Sequence, residues 1–240
     1  MDNQKTFLLD LFFPKFCLGC QKEGSFLCED CRSLLEILEW DYCLCSHGLH
    51  SIPGKTDKGK CPKCSPKKLA GLYFAVSFKN PLAKKLIHQF KYEPYTKSLA
   101  KTLASLLIEH FVLTKKNTNE IWQNSVLVPV PVDNKKLKIR DYNQSEELAK
   151  ELSNVLEIPM IPDCLIKTKA TAPQMELSKI EREGNLIGAF EIINPEKIYN
   201  KKIFLVDDVY TTGSTMEECA KTLRQAGAKS VWGICIAREE

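Results

Sequence analysis

Ile203-Phe-Leu-Val-Asp207-Asp208-Val-Tyr-Thr211-Thr212-Gly213-Ser214-Thr215 is the stretch that decides the fold. Its first four residues are apolar and read as a short buried strand, Ile203–Val206, that ends in two acids. A Thr/Gly/Ser loop follows. A helix over Ser214–Ala226 then begins at once and is stopped by Gly227. Thr215 and Glu218 have capping-box spacing. A helix start preceded by small hydroxyl residues and a glycine is an anion site, because backbone N–H groups and the helix dipole face the ligand. Gly213 permits close approach, and Thr211, Thr212, Ser214 and Thr215 add hydroxyl donors. A phosphate would repel carboxylates aimed at it, so Asp207 and Asp208 suit ribose hydroxyls or a Mg²⁺ hydration shell. Neither G-x-x-x-x-G-K-[ST] nor G-x-G-x-x-G occurs anywhere in the chain.

Outward from this run, Val231–Ala237 is another buried strand. Ser125–Val132 (SVLVPVPV) is a third, with prolines that mark a loop at its end. Leu72–Phe78 alternates as a strand does. Leu82–Phe90, Ser98–Phe111 and Ser145–Leu156 carry apolar residues at helical spacing. Strands alternating with helices over residues 70–240 predict an α/β domain whose largely parallel sheet is flanked by helices. Ligands in such sheets sit at the carboxyl ends of the strands. The 240 residues are 44% hydrophobic and 27% charged, with a net charge of +4. That composition excludes a disordered chain and is compatible with a nucleic-acid or phosphorylated small-molecule ligand. No apolar run is long enough for a transmembrane helix. The opening MDNQKTFLLDLFFPKF carries Asp2 and Asp10 and has no small-residue cleavage site, so an export signal is not expected and the implied compartment is the cytoplasm.

Eight of the 11 cysteines fall in residues 1–69, which predicts a small N-terminal module folded around structural zinc. Cys17/Cys20, Cys28/Cys31 and Cys61/Cys64 are C-x-x-C knuckles, whose spacing lets two thiolates meet one tetrahedral ion. Cys43 and Cys45 form an irregular fourth pair, for which His47 or His50 is a substitute. Eight ligands suffice for two structural Zn²⁺ sites of four cysteines, and which pairs share an ion stays open. Closed sets of four leave no open catalytic position. A segment this short with few large core residues needs metal to fold. Cys164, Cys219 and Cys235 read as core residues.

The strand–acid–acid–Thr–Thr–Gly run resembles the phosphoribosyl pyrophosphate (PRPP) motif of type I phosphoribosyltransferases. More of the chain resembles the ComF family, which joins a zinc-ribbon segment to a phosphoribosyltransferase domain. The matching stretches are LLDLFFPKFCLGC, LCEDC, IHQFKY at 87–92, LVPVPV at 127–132, RDYNQSEELAKEL at 140–152, TAPQMELSKIEREGNLIGAF at 171–190 and the closing AGAKSVWGICIARE. Departures are Cys43-Leu-Cys45, where the family has C-x-x-C, and Tyr142, where Phe is common. The resemblance implies that Asp207 and Asp208 hold the ribose 2- and 3-hydroxyls and that Thr211–Thr215 hold the 5-phosphate. It implies a pyrophosphate loop at Pro131, Val132 and Asp133, followed by Arg140, Asn143 and Gln144, with a helix-start role for Asn143 as the alternative. It also implies a hood over Lys167–Gly188 with Lys169, Gln174, Arg182 and Asn185, where Mg²⁺, Arg140 and Arg182 would stabilise a leaving pyrophosphate.

Two basic runs remain. One is Lys79, Lys84, Lys85, Lys91, Lys97 and Lys101, interleaved with Phe78, Phe90, Tyr92 and Tyr95. The other is Lys135, Lys136, Lys138 and Arg140. Both suit single-stranded DNA or a solvated face. His88 and His110 read as packed. By resemblance the protein handles incoming single-stranded DNA with DNA-uptake or helicase proteins at the inner face of the membrane. The alternatives are a phosphoribosyltransferase for a small metabolite and a PRPP-sensing regulator without turnover.

Overall fold

A computed structural model describes residues 14–39, 43–45, 64, 66–116, 119–169 and 186–239. In chain order its elements are α1 (Glu29–Arg32), β1 (Leu72–Ser77), α2 (Pro81–Lys91), α3 (Leu99–Leu113), α4 (Asn119–Trp122), β2 (Ser125–Pro129), α5 (Asn134–Arg140), α6 (Gln144–Leu156), β3 (Leu165–Lys167), β4 (Phe190–Ile192), β5 (Lys202–Tyr210), α7 (Ser214–Gln225) and β6 (Ser230–Arg238). Four strands form one sheet in the order β1-β6-β5-β2. Every pairing in it is parallel. β3 and β4 make a separate antiparallel pair. This is the expected parallel sheet flanked by helices.

The sheet is buried on both faces, which is why its strands read as continuous apolar runs. Period 2 still sorts the side chains. Tyr73, Ala75, Leu127, Phe204, Val206, Ile234 and Ile236 join the core under α2, α3 and α6. Leu72, Phe74, Val126, Val128, Ile203, Leu205, Val231 and Cys235 join the core under α7 and the β3–β4 pair. Each fully buried large side chain contributes about 1.5–3 kcal/mol. The cysteine-bearing segment packs into both halves: Cys17, Leu18, Leu27, Cys31 and Leu35 into the first, Leu38, Cys43, Leu44, Cys64 and Leu69 into the second. Arg32 ties α1 to α3 by donating to Glu109 and to the Ser105 hydroxyl.

Several local expectations change. β5 is longer than Ile203–Val206. It continues through Asp207 and Asp208 to Tyr210, because β6 keeps pairing with it as far as Tyr210↔Arg238. β2 is shorter than Ser125–Val132 and stops at Pro129, opposite Val206. The basic run 134–140 is a helix, started by the Asp133 carboxylate accepting from Lys135 N–H. His88 is exposed beside Tyr92, whereas His110 is buried with Nδ1 2.5 Å from the Leu38 carbonyl. No helix among the described residues is long and apolar enough to cross a membrane.

Candidate phosphoribosyl and metal sites

The unequal lengths of β2 and β5 open the site. Beyond Val206, β5 keeps β6 on one side and has lost β2 on the other. A cavity of about 170 Å³ occupies the gap. Pro131, Val132 and Asp133 line it from the end of β2. Asp207, Asp208 and Thr211 to Thr215 line it from β5 and α7, and Arg140, Gln144 and Ser145 from the α5–α6 corner. The structure thus brings together the residues named for the acid pair, the phosphate loop and the pyrophosphate turn. Arg182, Gln174, Asn185 and Cys61 lie outside the described residues.

Both acids are held but face the cavity. Asp207 accepts from Ser145 Oγ at 3.0 Å and from the Asp208 N–H at 2.9 Å. Asp208 is buried and accepts from Lys91 Nζ at 2.9 Å. Burial, and then the Asp208 carboxylate beside it, push the Asp207 carboxyl up to about 7. Burial opposes charge on Lys91 as well, but Asp208 and Asp207 outweigh it and hold the ammonium above its usual range. The acids therefore act as a coupled pair with one resident cation.

Other cations line the same cavity. Lys136, Lys167 and Arg140 line the cavity with Lys91. Desolvation, then Arg140, Lys167 and Lys91, lower the Lys136 ammonium, and desolvation lowers that of Lys167. Crowded, partly desolvated ammonium groups are relieved by a bound anion. Arg140 is buried, with its guanidinium 5.5 Å from the centre of the Tyr92 ring.

Local chemistry places these groups. Asn143 caps α6: its Oδ1 accepts from Ser145 N–H at 3.1 Å and its Nδ2 donates to the Val130 carbonyl at 3.1 Å. Its role is therefore the helix start, which also anchors α6 to the end of β2. Gln144, the next residue, is 1% exposed, and its Nε2 on the cavity wall has no partner among the described residues. Gly213 holds the cap position of α7 at φ +79°, with no side-chain cap bond. The Thr215/Glu218 capping box does not form, because the helix cap falls two residues earlier, at Gly213. Glu218 instead accepts from Gly188 N–H at 3.0 Å and from Lys221. Thr212 and Ser214 share a hydroxyl hydrogen bond of 2.8 Å.

Lys91 and Lys136 were not legible as members of this site, and Lys167 was marked only as the start of the hood. Lys91 arrives from α2, 117 residues before its partner, and no local pattern marks it. One signal did exist in the IHQFKY stretch. Tyr142 donates its hydroxyl to the Phe90 carbonyl at 2.5 Å, fixing the residue that precedes Lys91.

The metal centres are tested by the sulfur positions. Sγ atoms of Cys17, Cys20, Cys28 and Cys31 all lie within 4.8 Å of one another, as do those of Cys43, Cys45 and Cys64. Two of the separations are 3.6 Å, for Cys20–Cys28 and Cys43–Cys64. Tetrahedral zinc with bonds of about 2.3 Å places sulfurs roughly 3.8 Å apart, so both clusters fit. Neighbouring knuckles come together in the first cluster, and Cys43-Leu-Cys45 joins Cys64 in the second.

With this geometry in place, residues 143–239 match the family model described as phosphoribosyl transferase domain. The DNA utilization protein YhgH of Escherichia coli (strain K12) is 31% identical over 229 residues, covering 88% of this chain and 96% of that protein. Competence protein F of Haemophilus influenzae is 32% identical over 240 residues, covering 94% and 99%. The glutamine PRPP amidotransferase of B. subtilis aligns at a TM-score of 0.37 and 19% identity, over 62% of this chain and 30% of that one.

Proposed function

This chain belongs to the family of competence protein F and YhgH, and from that premise we propose that it binds PRPP, with Mg²⁺, at the carboxyl end of β5 and serves the handling of single-stranded DNA in the cytoplasm. The observation that carries the reading is the open edge of β5, where an acid pair and a helix start at Gly213 line one cavity together with Lys136, Lys167 and Arg140. The 5-phosphate accepts hydrogen bonds from the 211–215 loop and gains from the α7 dipole. The ribose hydroxyls donate to Asp207 and Asp208. The diphosphate lies toward Pro131–Asp133, where Lys136, Lys167 and Arg140 balance its charge. Oxygen donors suit Mg²⁺, which Asp207 and Asp208 would hold together with the diphosphate, and the ion supplies charge neutralisation on the leaving group. Arg182 belongs to the same proposal as a hood residue.

The names of the relatives supply the DNA side of the reading. It is supported by α5, which lines the cavity with Lys136 and Arg140 and carries exposed Lys135 and Lys138 beside exposed Leu137 and Ile139. Such basic surface suits the phosphate backbone of a nucleic acid. The intact acid pair favours a second reading, transfer of the phosphoribosyl group to a small acceptor. Release of pyrophosphate from PRPP separates the two.

The test is calorimetric titration of the full chain with PRPP and Mg²⁺, with a single-stranded oligonucleotide as competitor. Binding that Asp208→Asn weakens by roughly tenfold or more supports the reading. A wild-type chain that binds neither PRPP nor ribose 5-phosphate overturns it.

A further inference from the structure

The second cysteine cluster lies against the phosphate loop, and the first does not. Tyr210, the last residue of β5, is buried under that loop, and a side chain at Gly213 would run into its hydroxyl. The ring is held from the cysteine side. Lys67 Nζ lies 3.3 Å from the Tyr210 hydroxyl and 3.4 Å from the carbonyl of Leu44, between Cys43 and Cys45. Arg238 sits opposite Tyr210 in the β5–β6 register, with its guanidinium 5.8 Å from the ring centre. The same guanidinium donates to the Cys43 carbonyl at 2.5 Å and to the Cys45 carbonyl. At the other end of the loop, Glu217 in the first turn of α7 accepts from the N–H groups of Lys68 and Leu69. Residues 43–45 and 67–69 therefore hold the loop from both sides. The first cluster packs under α2 and α3, where a Cβ on Gly19 would meet Cys31 and Leu82.

We infer that the Cys43/Cys45/Cys64 centre, when it holds its metal, fixes the 211–215 loop in its anion-receiving shape. Arg238, Lys67 and Tyr210 are the positioning residues that carry the effect. The carbonyls of Cys43, Leu44 and Cys45 are fixed acceptors only while the sulfurs of this turn are tied to one ion. Without the ion, Arg238 and Lys67 lose their anchor, Tyr210 loses its backing and Gly213 is free to move. The site would thus govern phosphate affinity without touching the ligand. The affinity part of this inference rests on the ribose-phosphate reading, and the loop-ordering part does not.

The experiment compares metal content, amide hydrogen exchange of residues 211–215 and ribose 5-phosphate affinity in full-length variants. Cys45→Ser is expected to lose about one zinc equivalent, to speed exchange in the loop and to weaken binding by roughly tenfold. Cys20→Ser is expected to lose the other equivalent with loop exchange and affinity unchanged. Tyr210→Phe is expected to keep both metals and still weaken binding by about threefold. Arg238→Lys, which keeps the charge and one donor, should fall between wild type and Arg238→Met. A Cys45→Ser chain without its second metal but with unchanged loop exchange overturns the inference. If that variant does not fold, unchanged loop exchange in both Tyr210→Phe and Arg238→Met does so. A wild type that binds no ribose 5-phosphate removes the proposed function, while the exchange results still decide the coupling.

Discussion

The helices that leave the carboxyl end of the sheet begin in different ways. α2 starts at an Asn80 side chain that accepts from Leu82 and Ala83 N–H groups. α6 starts at Asn143, whose amide caps the helix and also binds β2. α7 starts at Gly213, which has no side chain to cap it, and its first N–H, on Ser214, reaches Thr212 Oγ1 only at 3.4 Å. A capped start has used its first donors internally. An uncapped one beside hydroxyls and a left-handed glycine keeps donors for a ligand. The lesson lies in the contrast between α6 and α7: they flank one cavity, and where Asn143 closes the start of α6 with a 3.1 Å bond, the start of α7 has only a long 3.4 Å contact from Ser214 N–H to Thr212 Oγ1.

Changes at these two starts should have unequal results, and the largest is expected at Gly213. Gly213→Ala meets both φ +79° and the Tyr210 hydroxyl, at a cost of order 1–3 kcal/mol. It should abolish PRPP binding in calorimetry, and a variant with wild-type affinity would erase the contrast. Asn143→Ala should instead cost about 1 kcal/mol of stability in denaturant unfolding, with ligand affinity reduced far less than in Gly213→Ala. Equal loss of affinity in the two would place both helix starts in the ligand site.

Asp207 stands between the two starts and gives the pH test. Its carboxyl titrates near 7, well above the ordinary carboxylate range, so the folded state binds this proton more tightly than the unfolded chain does. Its contribution favours folding in acid and is lost as pH rises through about 7. Ribose hydroxyls need the carboxylate, so PRPP affinity should fall as pH drops below about 7. A flat affinity profile from about pH 5 to 8 would show that Asp207 does not receive the sugar. The smallest effect is expected for Ser145→Ala. It removes a hydrogen bond that stabilises the carboxylate, so the Asp207 midpoint, read by NMR titration, should move further upward.

The strand and helix periods that make up the sheet were plain in the amino-acid order, because both faces of β5 and β6 are buried and their apolar runs are unbroken. The acid pair, the phosphate loop and the cysteine knuckles were plain for the same kind of reason, since each depends on residues a few positions apart. Strand ends were less plain: β5 outruns its apolar stretch because β6 continues to pair with it, and β2 stops early because its partner register ends at Pro129.

By itself, then, the order of residues determined an α/β sheet, a hydroxyl-rich anion loop after an acidic pair, and thiols enough for two metal centres. Tertiary structure alone decided which thiols meet, that Lys91 closes on Asp208, that Asn143 serves its helix, and that Arg238 reaches Cys43 across 195 residues. Local propensity and spacing act within a turn or a strand and leave a local signature. Contacts between distant residues depend on which surfaces the folded core brings together, and no short stretch of sequence carries that information.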